Sequence, residues 1–202
     1  MINLWEIENG LFESGIKTIC GVDEAGRGPL AGPVCAAAVI LQPNIQIPGL
    51  NDSKKLTPKK RELLYDVIRE NSLAYGVAYG SVQEIDELNI LNATYLAMNR
   101  AIEKLQITPD ITLIDGNRST GITHPNICVV KGDQKSASIA AASILAKVTR
   151  DRLMVSLSEE YPEYAFEKHK GYPTALHYER ISRHGISRVH RRSFLKKLVS
   201  AQ

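Results

Sequence analysis

The stretch TICGVDEAGRGPLAGPVCAAAVIL, residues 18–41, decides how the chain folds. Ile19-Cys20-Gly21-Val22 is a short apolar run suited to a buried strand, and Val34 to Leu41 is a second. Between them Gly26-Arg27-Gly28-Pro29 and Gly32-Pro33 interrupt any regular element. The pattern predicts a strand, a tight loop and a second strand.

Asp23 and Glu24 stand where the first predicted strand leaves the core. Neighbouring strand side chains point to opposite faces, so these two cannot line one flat sheet face. At a strand end, where the chain bends, they can converge on one ion. Adjacent carboxylates at a partly buried edge repel and favour a cation; a solvated acidic turn is the plainer alternative. In the loop, Gly26 and Gly28 let backbone N–H groups approach a ligand closely, and Arg27 suits a phosphate. It is not a Walker loop, because no Gly-Lys-Ser/Thr follows and the next element is a strand.

Working outward, residues 1–16 read as an arm anchored by Trp5 and Phe12. Asp52-Ser53-Lys54-Lys55 is a polar, basic turn, a phosphate contact or simply a solvated one. Thr57-Pro58 opens a helix to about Asn71 with Leu63, Leu64, Val67 and Ile68 on one face. Leu73 to Val82 predicts a third strand, Ser81-x-x-Glu84 a capping box, and about Asn92 to Gln106 a helix with Tyr95, Met98, Ile102 and Leu105 in the core. Ile111 to Ile114 predicts a fourth strand, followed at once by Asp115. Ile127 to Val130 predicts a fifth, followed by Lys131-Gly132-Asp133. Three strands, each delivering a carboxylate at its exit, turn a pattern into a candidate site, since ligands of α/β sheets gather beyond strand ends.

Ser136 to Met154 is an Ala- and Ile-rich helix, buried on most sides, with Asp133 ahead of its positive end. Asp151 lies near its far end, where an ion pair with Arg150 or Arg152 accounts for it. Residues 163–174, EYAFEKHKGYPT, interleave cations with aromatics, which suits phosphate neutralisation plus base or sugar stacking. Thr174 caps a helix to about His184, and Gly185 ends it. The five histidines show no zinc spacing and read as surface residues; no serine sits in a Gly-x-Ser-x-Gly elbow.

The 202 residues, 44% hydrophobic and 23% charged, describe an ordinary globular chain read as a single domain, 1–202, with a basic helical part from about 155. No run is long and apolar enough to span a membrane and no signal peptide is evident, so a cytoplasmic location is expected. Cys20, Cys35 and Cys128 lie in strand-like runs and read as buried thiols. Residues 131–202 hold 14 Lys/Arg against 7 Asp/Glu, while residues 1–130 are net acidic. That asymmetry suits a metal site beside a polyanion groove.

Taken in order, Asp23-Glu24-Ala25-Gly26-Arg27-Gly28-Pro29, Leu113-Ile114-Asp115-Gly116, Gly132-Asp133 with Ser136-x-Ser138-Ile139-Ala140-Ala141-Ala142-Ser143, Ala146-Lys147-Val148 with Arg150-Asp151, and His169-Lys170-Gly171-Tyr172-Pro173-Thr174 resemble bacterial ribonuclease HII. The resemblance runs from about residue 18 to 192. It implies an α/β ribonuclease H-like fold: a mixed five-stranded central sheet flanked by helices, with a helical C-terminal extension. It also implies metal-dependent cleavage of RNA in RNA–DNA hybrids and nicking 5′ of a single ribonucleotide in duplex DNA, leaving 5′-phosphate and 3′-hydroxyl ends, in ribonucleotide excision and primer removal.

By the same resemblance Asp23, Glu24, Asp115 and Asp133 are the acidic metal-binding residues, Gly26-Arg27-Gly28 reads the 2′-hydroxyl, Tyr172 packs on a sugar at the junction, and Ser53 and Lys54 touch phosphates. Four carboxylates suit Mg²⁺ or Mn²⁺, with two ions about 3.5–4 Å apart in a two-ion mechanism. A monomer is expected. Ribonuclease HIII is the nearest competing family, but about 17 residues before the first strand leave no room for its extra N-terminal domain. A non-catalytic hybrid binder and a nuclease acting on ordinary DNA compete as functional classes. Four converging anions speak against the binder, and a 2′-hydroxyl reader speaks against the DNA nuclease.

Overall fold

The computed structural model describes residues 3–51 and 53–196. Its chain order begins with helix α1 (Glu6–Glu13), strands β1 (Ile19–Ala25) and β2 (Val34–Leu41), helix α2 (Pro58–Asn71) and strand β3 (Ser72–Gly80). Helix α3 (Val82–Glu103), strands β4 (Ile111–Asp115) and β5 (Asn126–Val129), and helices α4 (Ala137–Glu160), α5 (Phe166–His169) and α6 (Ala175–His184) complete it. The five strands form one mixed sheet in the order β3-β2-β1-β4-β5. β3, β2 and β1 are antiparallel, whereas β1, β4 and β5 are parallel.

The apolar runs become the two inner faces of this sheet. Cys20, Val22, Ala36, Ala38 and Ile114 pack under α3, with Ala93, Ala97, Met98 and Ile102. Ala37, Val39 and Leu41 face the other way, onto α2 and α4. The first half of α4 is buried almost all round, from Ala137 to Ala146, because its small side chains let the sheet come close. At the closest point Gly21 has no room for a side chain: a Cβ there would lie 2.1 Å from the Ser138 carbonyl carbon.

Helix starts follow the local chemistry. The side chains of Thr57, Ser81, Ser136 and Thr174 each accept a backbone N–H from the residue three further on, which satisfies an otherwise orphan donor. Ser81 and Glu84 form a complete capping box. The two helices expected after it are one run broken at Asn89, whose φ of 69° is not helical. The Asn89 side-chain oxygen accepts the N–H groups of Leu91 and Asn92, restarting the helix.

Several expectations need correction. Leu63 is 64% exposed, so the inner face of α2 is carried by Leu64 and Ile68. β1 does not end at Val22. It continues through Asp23 and Glu24 to Ala25, because β2 pairs with all three. α4 runs six residues beyond Met154, to Glu160. Asp151 pairs with Lys147 at 2.8 Å, one turn back, and not with Arg150 or Arg152. Arg152 instead pairs with Glu62. Cys128 is only partly buried.

Candidate active site

β1 is paired on both edges as far as Val22, where Val22 and Ile114 are the last partners in the β1–β4 ladder. Beyond that row β2 still holds one edge of β1, and the β4 edge is released. Asp23 and Asp115 are the next residues on the two parallel strands. They therefore share a row and a face, the face that carries Gly21 and Leu113 toward α4. Glu24 points to the opposite face, into a cleft of about 260 Å³ lined with Arg27, Tyr95, Asp115, Asn117 and Arg118. The two neighbouring carboxylates thus straddle the sheet edge.

Asp133 is buried in the short turn Gly132–Gln134 between β5 and α4. That turn is tied to β4, since the Gly132 N–H donates to Asp115 Oδ1 at 2.7 Å. Asp23 is buried too, and its carboxylate accepts from the Glu24 N–H at 2.7 Å, while the Ser143 hydroxyl favours its ionised form. Burial, then the charges of Glu24 and Asp115, hold the Asp23 carboxyl well above the usual range. Glu24 is also raised, first by burial, although Arg27 at 3.4 Å and Lys54 oppose the shift. The strand ends therefore concentrate mutually repelling oxygen donors.

Those donors are hard carboxylate oxygens, which fit Mg²⁺ or Mn²⁺ in chemistry and in the charge relief a cation gives. Among the described residues no three His, Cys, Asp or Glu side chains are gathered closely enough to enclose a metal ion by themselves. Such an ion would be held by separate carboxylates from Asp23, Glu24, Asp115 and Asp133, with water and substrate oxygens completing its shell.

The Gly-Arg-Gly loop borders this edge. Arg27 and Gly28 are exposed and Gly26 is buried. Gly26 has φ +94°, and a Cβ on it would meet Arg150 Nε at 1.9 Å, so both its backbone and its surroundings require glycine. The Tyr172 ring is 38% exposed beside Gly28. Lys147 Nζ and Arg150 Cζ lie 5.7 and 5.8 Å from its centroid. Lys54 is exposed, whereas Ser53 is buried with its hydroxyl 2.8 Å from Ser143 Oγ. The Ser53 hydroxyl is thus turned inward onto Ser143, rather than facing the groove. Asp52 lies outside the described residues.

The other aromatics of the 163–174 stretch are not stacking platforms. Tyr164 and Phe166 are buried and stack on each other at 5.4 Å. Around them sit three buried histidines, His169, His177 and His190, that sequence reasoning placed on the surface. His190 Nδ1 accepts from the Ser187 N–H at 2.9 Å, which leaves Nε2–H to donate to His177 Nε2 at 3.1 Å. His177 Nδ1–H then donates to the Tyr172 carbonyl at 3.0 Å. A neutral relay of two imidazoles therefore pins the backbone of Tyr172.

Burial pushes His177 and His190 down to about 4 from an ordinary 6.5, and the neighbouring histidines add to the shift. Between those values the unfolded chain binds protons that the folded chain does not. The stability of the relay is complete above pH 6.5 and is lost as pH falls toward 4. Thermal unfolding in chelator should show wild-type Tm falling across this window more steeply than that of His177→Gln. Parallel curves would contradict the relay.

Glu8 is a further residue the sequence did not reveal. Buried on α1, it accepts the Ser136 hydroxyl at 2.6 Å and the Ser138 N–H at 3.1 Å, capping the positive end of α4 from another element.

The chain is similar to known proteins. The model of the ribonuclease HII family matches residues 20–197. Ribonuclease HII of Caldicellulosiruptor bescii is 55% identical over 198 residues, 98% of this chain and 96% of that protein. The Dechloromonas aromatica ribonuclease HII is 60% identical over 179 residues, 89% of this chain and 91% of that one. Among solved structures, ribonuclease H2 from Pyrococcus horikoshii OT3 aligns with a TM-score of 0.72 at 30% identity, covering 88% of this chain and 93% of that one. The five-stranded mixed sheet with its helices is accordingly a ribonuclease H-like fold, and the chain belongs to the ribonuclease HII family as a ribonuclease H enzyme.

Proposed function

We propose that the chain is a metal-dependent endonuclease that cleaves the RNA strand of RNA–DNA hybrids and nicks duplex DNA 5′ of a single embedded ribonucleotide. The products carry 5′-phosphate and 3′-hydroxyl ends, and the roles served are ribonucleotide excision and primer removal. One observation carries the reading: Asp23 and Asp115 follow the last paired row of two adjacent parallel strands, with Glu24 next in the chain and the Gly-Arg-Gly loop, exposed at Arg27 and Gly28, at their border. Mutually repelling carboxylates beside the cationic Arg27 and Lys54 favour a cation that mediates between them and a polyanion.

In this reading Asp23, Glu24, Asp115 and Asp133 hold divalent metal, Mg²⁺ or Mn²⁺. When bound, the metal supplies Lewis-acid stabilisation of the phosphodiester and an activated water. The Glu24 N–H orients Asp23, and the Gly132 N–H orients Asp115. The loop N–H groups of Gly26-Arg27-Gly28 recognise the ribose 2′-hydroxyl, which distinguishes RNA from DNA. Tyr172 packs against the sugar beyond it, while Lys54 neutralises backbone phosphate. The chain acts as one catalytic domain whose residues from about 155 onward serve the substrate, as a monomer in the cytoplasm. Among the described residues no helix is long and apolar enough to cross a membrane.

An end-labelled RNA–DNA hybrid incubated with Mg²⁺, Mn²⁺ or chelator tests this directly. Metal-dependent internal cleavage to 5′-phosphate ends is expected; cleavage in chelator, or 3′-phosphate products, would overturn it. Tyr172→Ala should lower kcat/KM at a single ribonucleotide by about 10–100-fold with little change in Tm, because its ring is not part of a core. A Tm loss comparable to a core truncation would return Tyr172 to a structural role.

A further inference from the structure

Two of the largest fully buried side chains are arginines, Arg150 and Arg191. Among the described residues neither forms an ion pair within 4.0 Å. Burying a guanidinium without a carboxylate is costly, and placing a second one nearby adds repulsion. Every compensating bond goes to a backbone carbonyl. Arg191 donates through Nη2 to Gly26 O at 2.6 Å, through Nη1 to Arg27 O at 2.9 Å and through Nε to Gly32 O at 2.9 Å. Arg150 donates to the carbonyls of Ala31, Pro33 and Lys170 at 3.0–3.1 Å. Five of these six acceptors belong to residues 26–33, the loop between β1 and β2.

Peptide geometry converts these contacts into a direction. There are no cis peptide bonds among the described residues. In a trans peptide the C=O and the following N–H point to opposite sides of the chain. When Arg191 draws the carbonyls of Gly26 and Arg27 inward, the N–H groups of Arg27 and Gly28 must face outward. Both residues are exposed, and among the described residues neither N–H donates to a protein acceptor. Charge-assisted bonds are also roughly twice as strong as neutral ones, so the orientation is held firmly.

We propose that Arg191 is a positioning residue for ribose recognition: its guanidinium fixes the Gly26 and Arg27 carbonyls from beneath, so that the Arg27 and Gly28 N–H groups stand preset toward the 2′-hydroxyl. The proposal rests on the reading that this loop recognises the 2′-hydroxyl. Arg191 itself is fully buried and touches no substrate. It arrives from the far end of the chain through a short bridge between Ala31 and His190, which the Arg191 N–H extends by donating to Leu30 O at 2.8 Å. The C-terminal segment thereby sets the selectivity of a loop some 160 residues upstream in sequence.

The test is the ratio of Kd values for an all-DNA duplex and for the same duplex with one ribonucleotide, measured by anisotropy in chelator. Arg191→Lys keeps the charge but cannot span three carbonyls with a rigid fork, and Arg191→Met removes both. For each folded variant the ribonucleotide preference should fall by about tenfold, while the all-DNA Kd stays near that of wild type. A wild type without ribonucleotide preference would sink the reading of the loop. A wild-type preference kept in full by either folded variant would overturn the role of Arg191 alone. Should neither variant fold, backbone ¹⁵N relaxation on the wild type decides: the Arg27 and Gly28 amides should be as rigid as those of β1. Flexible amides there would overturn the proposal.

Discussion

Asp23→Asn is expected to lower hybrid cleavage by about 10³-fold or more while leaving substrate binding unchanged or tighter. The substitution removes one oxygen donor and one negative charge from a site that must receive a polyanion. It should also raise the Tm of the metal-free protein at neutral pH by a few degrees. The sign follows from the environment of Asp23. Burial, Glu24 and Asp115 hold its carboxyl above the ordinary value, so the folded protein resists its ionisation. That penalty is absent when the group is protonated and grows as pH rises through the ordinary carboxylate range toward its folded pKa. Asparagine removes the penalty and keeps a side-chain oxygen that can accept the Glu24 N–H. Paired activity assays and melting curves in chelator check both halves. An active Asp23→Asn enzyme would contradict the metal assignment, and a lower Tm would contradict the electrostatic account.

Gly21→Ala is expected to destabilise the protein by about 3 kcal/mol or more. Gly21 lies in β1 against the first turn of α4, and a methyl group there would sit 2.1 Å from Ser138 C and 2.3 Å from Ile139 N. These are backbone atoms, so no rotamer change relieves the clash; the helix must move off the sheet. For a domain of this size the Tm should drop by about 6–12 °C. Activity should fall well below the melting temperature as well, because α4 carries Ser143 and its entry turn carries Asp133. A Tm within about 2 °C of wild type would mean that the helix packs less tightly than the geometry requires.

The strands and most helices were legible because their signals are local. Period, turn residues and caps such as Thr57, Ser81 and Thr174 sit within a few positions of what they control. Asp23, Glu24, Asp115 and Asp133 were legible for a related reason: each closely follows an apolar run in the sequence. The polar interior was not legible. Arg191 sits in a basic stretch that looks solvent-exposed, nothing near Arg150 in sequence marks a partner for it, and the loop carbonyls that hold both lie 117 to 165 residues away in sequence. His177 and His190 are held by each other and by backbone, which leaves no spacing to detect. Tyr164 and Phe166 differ from Tyr172 only in what the fold places above them. Glu8 caps a helix from 128 residues away, so no capping pattern marks it.

Paired strand-end carboxylates and a preset loop should together cut at a ribonucleotide and nowhere else. A duplex DNA carrying one ribonucleotide, beside an all-DNA control, tests this most directly in Mg²⁺, Mn²⁺ and chelator. The predicted result is a single metal-dependent nick on the 5′ side of the ribonucleotide and no cutting of the control. Cutting of the all-DNA duplex would contradict the role of Gly26-Arg27-Gly28, and binding without any nick in either metal would contradict catalysis by Asp23, Glu24, Asp115 and Asp133.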